Sequence, residues 1–150
     1  PEGLKLPIVG IFDFEFAANK ARFTNNDPAG NRIPGAVERV ITASATIDNF
    51  NRWSAALKFR YFGPRPLKED NRFRSRSTAL TNLQGGYRFN NHWKIRLDVF
   101  NVFNRKHHDI DYAYESRIKD SAGVLQDATE ELHFHPVEKR AARLTLSASF

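Results

Sequence analysis

The feature that most constrains this chain is a period-two alternation of apolar and polar residues that recurs in six separate stretches. Successive side chains of a strand point to opposite faces, whereas a helix gathers its apolar residues at a period of about 3.6. In the first stretch Phe12, Phe14, Phe16 and Ala18 alternate with Asp13, Glu15 and Asn19. The second sets Ile41, Ala43, Ala45 and Ile47 against Thr42, Ser44, Thr46 and Asp48. The third opposes Trp53, Ala55, Leu57, Phe59 and Tyr61 to Arg52, Ser54, Lys58 and Arg60. In the fourth, Thr81, Leu83, Gly85, Tyr87 and Phe89 face away from Asn82, Gln84, Gly86 and Arg88. The fifth pits Trp93, Ile95, Leu97 and Val99 against Lys94, Arg96 and Asp98. The last places Ala142, Leu144, Leu146, Ala148 and Phe150 opposite Arg143, Thr145, Ser147 and Ser149.

Alternation alone also fits a soluble sandwich with one wet face. Two further features point to a barrel in a membrane. Aromatic residues (Trp53, Tyr61, Tyr87, Phe89, Trp93 and Phe150) gather at the ends of the apolar faces, where rings form girdles at the two lipid–water boundaries. Connections also alternate in length. Asp48-Asn49-Phe50-Asn51 and Asn90-Asn91-His92 read as tight turns, while the links over 20–37, 63–77 and 105–139 are long. Short turns on one rim and long loops on the other match an outer-membrane layout.

Composition agrees. Mean hydropathy is −0.56, and no apolar run approaches the roughly 20 residues of a spanning helix. A barrel tolerates this, because only every second side chain meets lipid. The absence of cysteine excludes disulfides, thiolate nucleophiles and Cys-ligated metals. A chain opening Pro1-Glu2-Gly3 with no methionine reads as a piece of a longer protein, and it carries no signal-peptide pattern. The net charge of +6 suits an anionic partner or a solvated basic surface. The basic residues are dispersed and no nucleic-acid motif accompanies them, so nucleic acid is not an expected partner.

The stretch Gly86-Tyr87-Arg88-Phe89-Asn90-Asn91-His92-Trp93, continued by Leu97-Asp98-Val99-Phe100-Asn101-Val102-Phe103-Asn104-Arg105-Lys106, resembles the last strands of TonB-dependent receptors. Arg32-Ile33-Pro34-Gly35 and Arg60-Tyr61-Phe62-Gly63 resemble family patterns of the preceding strands. Val102 replaces the usual Leu, and His107-His108 follow Lys106 where an aromatic is usual. The resemblance implies an all-β fold, about six antiparallel up-and-down strands from the C-terminal end of a transmembrane barrel. Residues 1–150 would form that single segment, without plug domain or earlier strands. The implied function is import of a siderophore-like or other scarce ligand across a Gram-negative outer membrane. Implied partners are membrane lipid and lipopolysaccharide, the barrel-assembly machinery, and TonB through an N-terminal part. The terminal Phe150 would serve as the assembly signal, with Ala148 standing where an aromatic is frequent.

Among candidate sites, Arg65, Lys68, Arg72, Arg74 and Arg76 crowd the second long link and are suited to clamp anionic groups, with Glu69 and Asp70 offsetting part of their charge. His107 and His108, with Asp109 and Asp111, open the last link; His133 and His135, with Glu130 and Glu131, close it. Imidazole with carboxylate suits zinc, copper or nickel, yet the spacing matches no metal motif, so solvated loop residues are the stronger expectation. No nucleophile elbow, HExxH or phosphate loop is present, and neither catalytic residues nor a cofactor are expected. Rival readings are a soluble all-β binding module and an outer-membrane barrel of another class. With two open edges and a bare apolar face, the isolated chain is expected to self-associate.

Overall fold

The computed structural model describes residues 9–24 and 28–149. Its strands are β1 (Val9–Ala18), β2 (Arg39–Phe50), β3 (Trp53–Phe62), β4 (Thr78–Arg88), β5 (Trp93–Phe100), β6 (His108–Ser116), β7 (Thr129–Pro136) and β8 (Ala141–Ala148). A six-stranded sheet runs in the order β1-β2-β3-β4-β5-β8, and β6 pairs with β7 in a separate hairpin. Every pairing is antiparallel, and no described residue is helical.

The register turns each strand's alternation into two continuous faces. Phe14 lies opposite Ala43, Ala43 opposite Phe59, and Phe59 opposite Thr81. Farther along, Leu57 meets Leu83, Leu83 meets Val99, and Leu97 meets Leu144. A slip of one residue anywhere would carry charges onto this face. The opposite face runs from Asp13 and Ser44 through Lys58 to Asn82. Beyond it, Gln84 faces Asp98, and Asp98 faces Arg143. The expected facing of Phe12, Phe14, Phe16, Leu57, Phe59, Ile95, Leu97, Leu144 and Leu146 is therefore met.

The apolar face covers nothing. None of its described side chains is buried, and Phe12 is 73% exposed and Leu144 67% exposed. A soluble sandwich packs such a face as its core; here it lies bare. Small hollows open instead on the polar side, lined by Lys58, Asn82, Gln84, Arg96 and Asp98, or by Asp13, Glu15, Ser44 and Arg60.

The short rim is built from asparagine chemistry. The β2–β3 turn lies at Asn51-Arg52, with φ of 46° and 73°, one step beyond the segment expected from sequence. The strand extends to Phe50 because a bulge between Ile47 and Phe50, with Asn49 at φ 64°, absorbs the odd residues. At the β4–β5 turn, Asn90 Oδ1 accepts the backbone N–H groups of His92 and Trp93 at 2.9 and 2.8 Å. Trp53 and Tyr87 pack with ring centroids 4.7 Å apart on the apolar face beside this rim, and Tyr87 meets Phe89 edge-on at 5.1 Å.

One expectation is corrected. The last link is not a plain loop, since its middle forms the β6–β7 hairpin. Ile110, Tyr112 and Tyr114 keep the strand period, as do Leu132 and Phe134. The hairpin forms a sheet of its own, and β5 ends at Phe100 just before Asn101 and Asn104, whose φ of 47° and 50° leave the extended conformation.

Candidate functional site: the loop rim and the polar face

The three long connections are tied to one another. Arg32 N–H donates to Glu69 O at 3.0 Å, and Gly35 N–H to Pro66 O at 2.8 Å, joining the first link to the second. Gly30, at φ 115°, sits against the Glu69 carbonyl where a Cβ would collide. The second link meets the hairpin through Arg76 N–H donating to Asp111 Oδ2 at 3.0 Å and Thr78 Oγ1 donating to His108 O.

The cations expected to clamp an anion are largely engaged within this rim. Lys68 and Arg72 converge on Glu130 of β7, the first through Oε1 and the second with Nη2 3.5 Å from Oε2. Arg72 also binds Asp70. The backbone N–H and then the guanidinium of Arg72 hold the Asp70 carboxyl below its ordinary value, and Asp70 in turn raises Arg72. Arg74 donates to Glu38 Oε2 at 2.7 Å and to Asn71 Oδ1 at 2.6 Å. That bond to Arg74 is the main reason the Glu38 carboxyl lies below the usual range. The side chains of Arg65 and Arg76 make no ion pair with the described residues, and both arginines contribute backbone N–H groups instead.

The hairpin brings the two histidine groups into one element without gathering them. His108 Nδ1 lies 2.5 Å from Asp111 Oδ1 and its ring stacks on Phe134 at 3.7 Å. His133 instead stacks on Tyr114 at 3.9 Å. His135 pairs with Ile110 across the hairpin, and the carbonyl of His107 accepts the N–H of Val137 at 3.0 Å. The bulge between His108 and Ile110 turns His108 to the face opposite His133. Among the described residues no group of three or more His, Asp or Glu is placed to hold a metal. Phe150 lies outside the described residues.

From sequence, Arg60, Lys94, Arg96, Arg143, Asp98 and Glu15 read as charge ladders across the polar wall, structural rather than a substrate path. Asp98 is buried and takes Arg143 Nη2 and Nε on one oxygen, at 3.2 and 3.3 Å. Arg96 Nε lies 3.3 Å from the same oxygen, but its N–H is not aimed at it and the atom stays buried without a hydrogen bond. On the acidic side, Glu15 accepts from Thr42 Oγ1 at 2.9 Å and Asp13 from Ser44 Oγ at 3.0 Å. Of these charges only Asp98, Arg96 and Arg143 come together as ion pairs, and opposite β1 the acids face hydroxyls instead of cations.

The family model "TonB dependent receptor-like, beta-barrel" matches residues 6–102, which include β1 to β5. Two solved structures of the ferric-catecholate import receptor Fiu from Escherichia coli K12 are similar to this chain at 18% identity each. Its closed form superposes with a TM-score of 0.64 over 91% of this chain and 18% of that one. The open form gives 0.54 over 83% and 19%. The chain therefore spans under a fifth of the receptor structures it matches. No curated protein matches it significantly. The family model covers about two thirds of the residues, so the chain belongs to the TonB-dependent receptor β-barrel family.

Proposed function

We propose that residues 1–150 form the C-terminal wall of the barrel of a larger TonB-dependent receptor in a Gram-negative outer membrane, which imports an iron–siderophore complex. The observation that carries the reading is the bare apolar face, continuous across six strands and backed by a charged one. Lipid is the solvent such a face suits, at about 25 cal/mol for each Å² of apolar surface taken from water. Both sheet edges, β1 and β8, are left for other strands to close, in keeping with the small share of the Fiu structures that is matched. A ferric catecholate is the first ligand to try, because those similar structures carry that description. Members of the family are receptors and transporters, and the working partners are lipid and lipopolysaccharide around the barrel, the assembly machinery at Phe150, and TonB through parts outside this chain. Removed from such a barrel, the chain would self-associate through its bare face and edges.

Growth on a ferric catecholate as the sole iron source tests this reading, comparing cells with and without the full-length gene and cells lacking TonB. Growth is expected only when both are present. Equal growth of all three strains, together with recovery of the full-length protein in the soluble fraction, would refute it.

A further inference from the structure

Lys58 on β3 and Lys94 and Arg96 on β5 surround a depression in the polar face. Small residues make its floor. Ala56 lies at the bottom, and in the neighbouring strand Gly86 leaves room for Ser54 Oγ, which stands 2.6 Å from where a Cβ would be. Gln84 contributes an amide between the two cationic strands, and Asn82 a second farther along. Two adjoining hollows of about 280 and 230 Å³ share Ala56, Lys58 and Gln84. Each is below the roughly 300 Å³ at which drug-sized pockets begin, so the occupant is small.

The charges are out of balance. Two acids stand against four cations, Lys58, Lys94, Arg96 and Arg143: Asp98 is shared by Arg143 and Arg96, and Asp48 accepts the N–H of Asn49 at 2.9 Å. Lys58 and Lys94 have no ion-pair partner among the described residues. Arg96 Nε is buried without a hydrogen bond, and Lys94 lies directly across from Arg88 in the ladder. Like charges opposite one another, and a buried donor left open, both destabilise a sheet unless an anion offsets them. The cations also flank β4 from two sides, two strand spacings or about 10 Å apart. One compact phosphate does not reach both flanks, whereas carboxylates spread over a small molecule do.

We propose that this recess binds a small polycarboxylate anion on the inner wall of the barrel. The assignment rests on the barrel reading and is independent of which ligand the receptor imports. Calorimetric titration of the full-length protein in detergent with citrate, with neutral triethyl citrate as control, tests it. Citrate should bind and the ester should not, and added salt should weaken binding. Lys58→Gln with Arg96→Gln should lower affinity by at least about tenfold. Ala56→Leu should do the same with every charge in place, by filling the floor. Lys58→Arg should keep binding, which separates loss of the site from loss of the fold. No binding of citrate, equal binding of the ester, or binding indifferent to both the double variant and Ala56→Leu would overturn the proposal. Loss of iron uptake with citrate binding intact would count against the import reading alone.

Discussion

Asn101 Nδ2 donates to the carbonyl oxygen of Glu138 at 2.9 Å, binding the end of β5 to the segment that leads into β8. The same amide donates to Arg105 O at 3.0 Å, and its Oδ1 accepts the N–H of Arg105 at 2.9 Å. Asn101 is buried, and its positive φ suits asparagine better than most side chains. Nearby, Asn104 Oδ1 accepts the N–H of Arg140 at 3.0 Å. The asparagines in the Asn101–Lys106 stretch that resembled the family thus bring both ends of the hairpin's stem together.

Replacing Asn101 takes from the backbone groups of Arg105 and Glu138 the partner that a buried side chain gives them. Asn101→Ala is expected to destabilise the full-length protein by about 1–3 kcal/mol, with backbone strain adding to the lost hydrogen bonds. Asn101→Gly relieves the strain but not the bonding, and should fall between wild type and Ala. Urea unfolding in lipid vesicles checks the order; equal stability of all three would contradict it.

Glu130 holds Lys68 and Arg72 together, so it fastens the hairpin to the second link. Each pair is partly exposed and contributes on the order of 0–1 kcal/mol. Glu130→Lys should therefore leave global stability nearly unchanged yet speed amide exchange in β7 and in residues 63–77. Lys68→Glu added to Glu130→Lys should restore much of the protection. Unchanged exchange in the single variant would remove Glu130 from this role.

Acid should loosen the first link. Arg74 lowers the Glu38 carboxyl, so the folded state binds this proton more weakly than the unfolded state with its ordinary value of 4.5. The contribution is present above that ordinary value and is lost as pH falls through the lower folded one. The melting temperature of Glu38→Gln, relative to wild type, should be lower at neutral pH and converge on it in acid, below the ordinary value of 4.5. A difference that persists in acid would contradict the sign.

Leu97 and Thr145 lie on opposite faces, each on a strand of the β5–β8 pair. Leu97→Arg should cost about 2–4 kcal/mol if the residue sits near the bilayer midplane, while Thr145→Arg on the wet face should cost under about 1 kcal/mol. Vesicle unfolding of both variants gives the comparison; similar costs would mean the faces are not lipid and water.

Most of the main sheet was legible in the sequence because each face meets one solvent. Alternation alone placed Leu57 and Lys58 on opposite sides, and the asparagine-rich turns marked the short rim. The β6–β7 hairpin was not seen, although Ile110, Tyr112 and Tyr114 alternate and Asp120 with Gly123 forms a turn, with Asp120 Oδ1 accepting the N–H groups of Ala122 and Val124. Interspersed Asp and His made that period look like a solvated loop with metal ligands. The fate of Lys68 and Arg72 was out of reach for another reason. Glu130 is their partner only through tertiary placement, and no local pattern encodes it. The polar recess was hidden likewise, since Ala56 and Gly86 make a hollow only when neighbouring strands come into register.

Because this chain contains no cysteine, labels can be placed along β8 one residue at a time. In the full-length protein, with any other cysteines replaced, spin labels at positions 142, 144 and 146 should be relaxed by oxygen dissolved in lipid. Labels at 143, 145 and 147 should respond instead to a water-soluble paramagnetic complex, giving a period of two in membranes. A β8 whose six labels all respond to the aqueous reagent, or show no alternation, would contradict the assignment of this sheet to a membrane barrel wall.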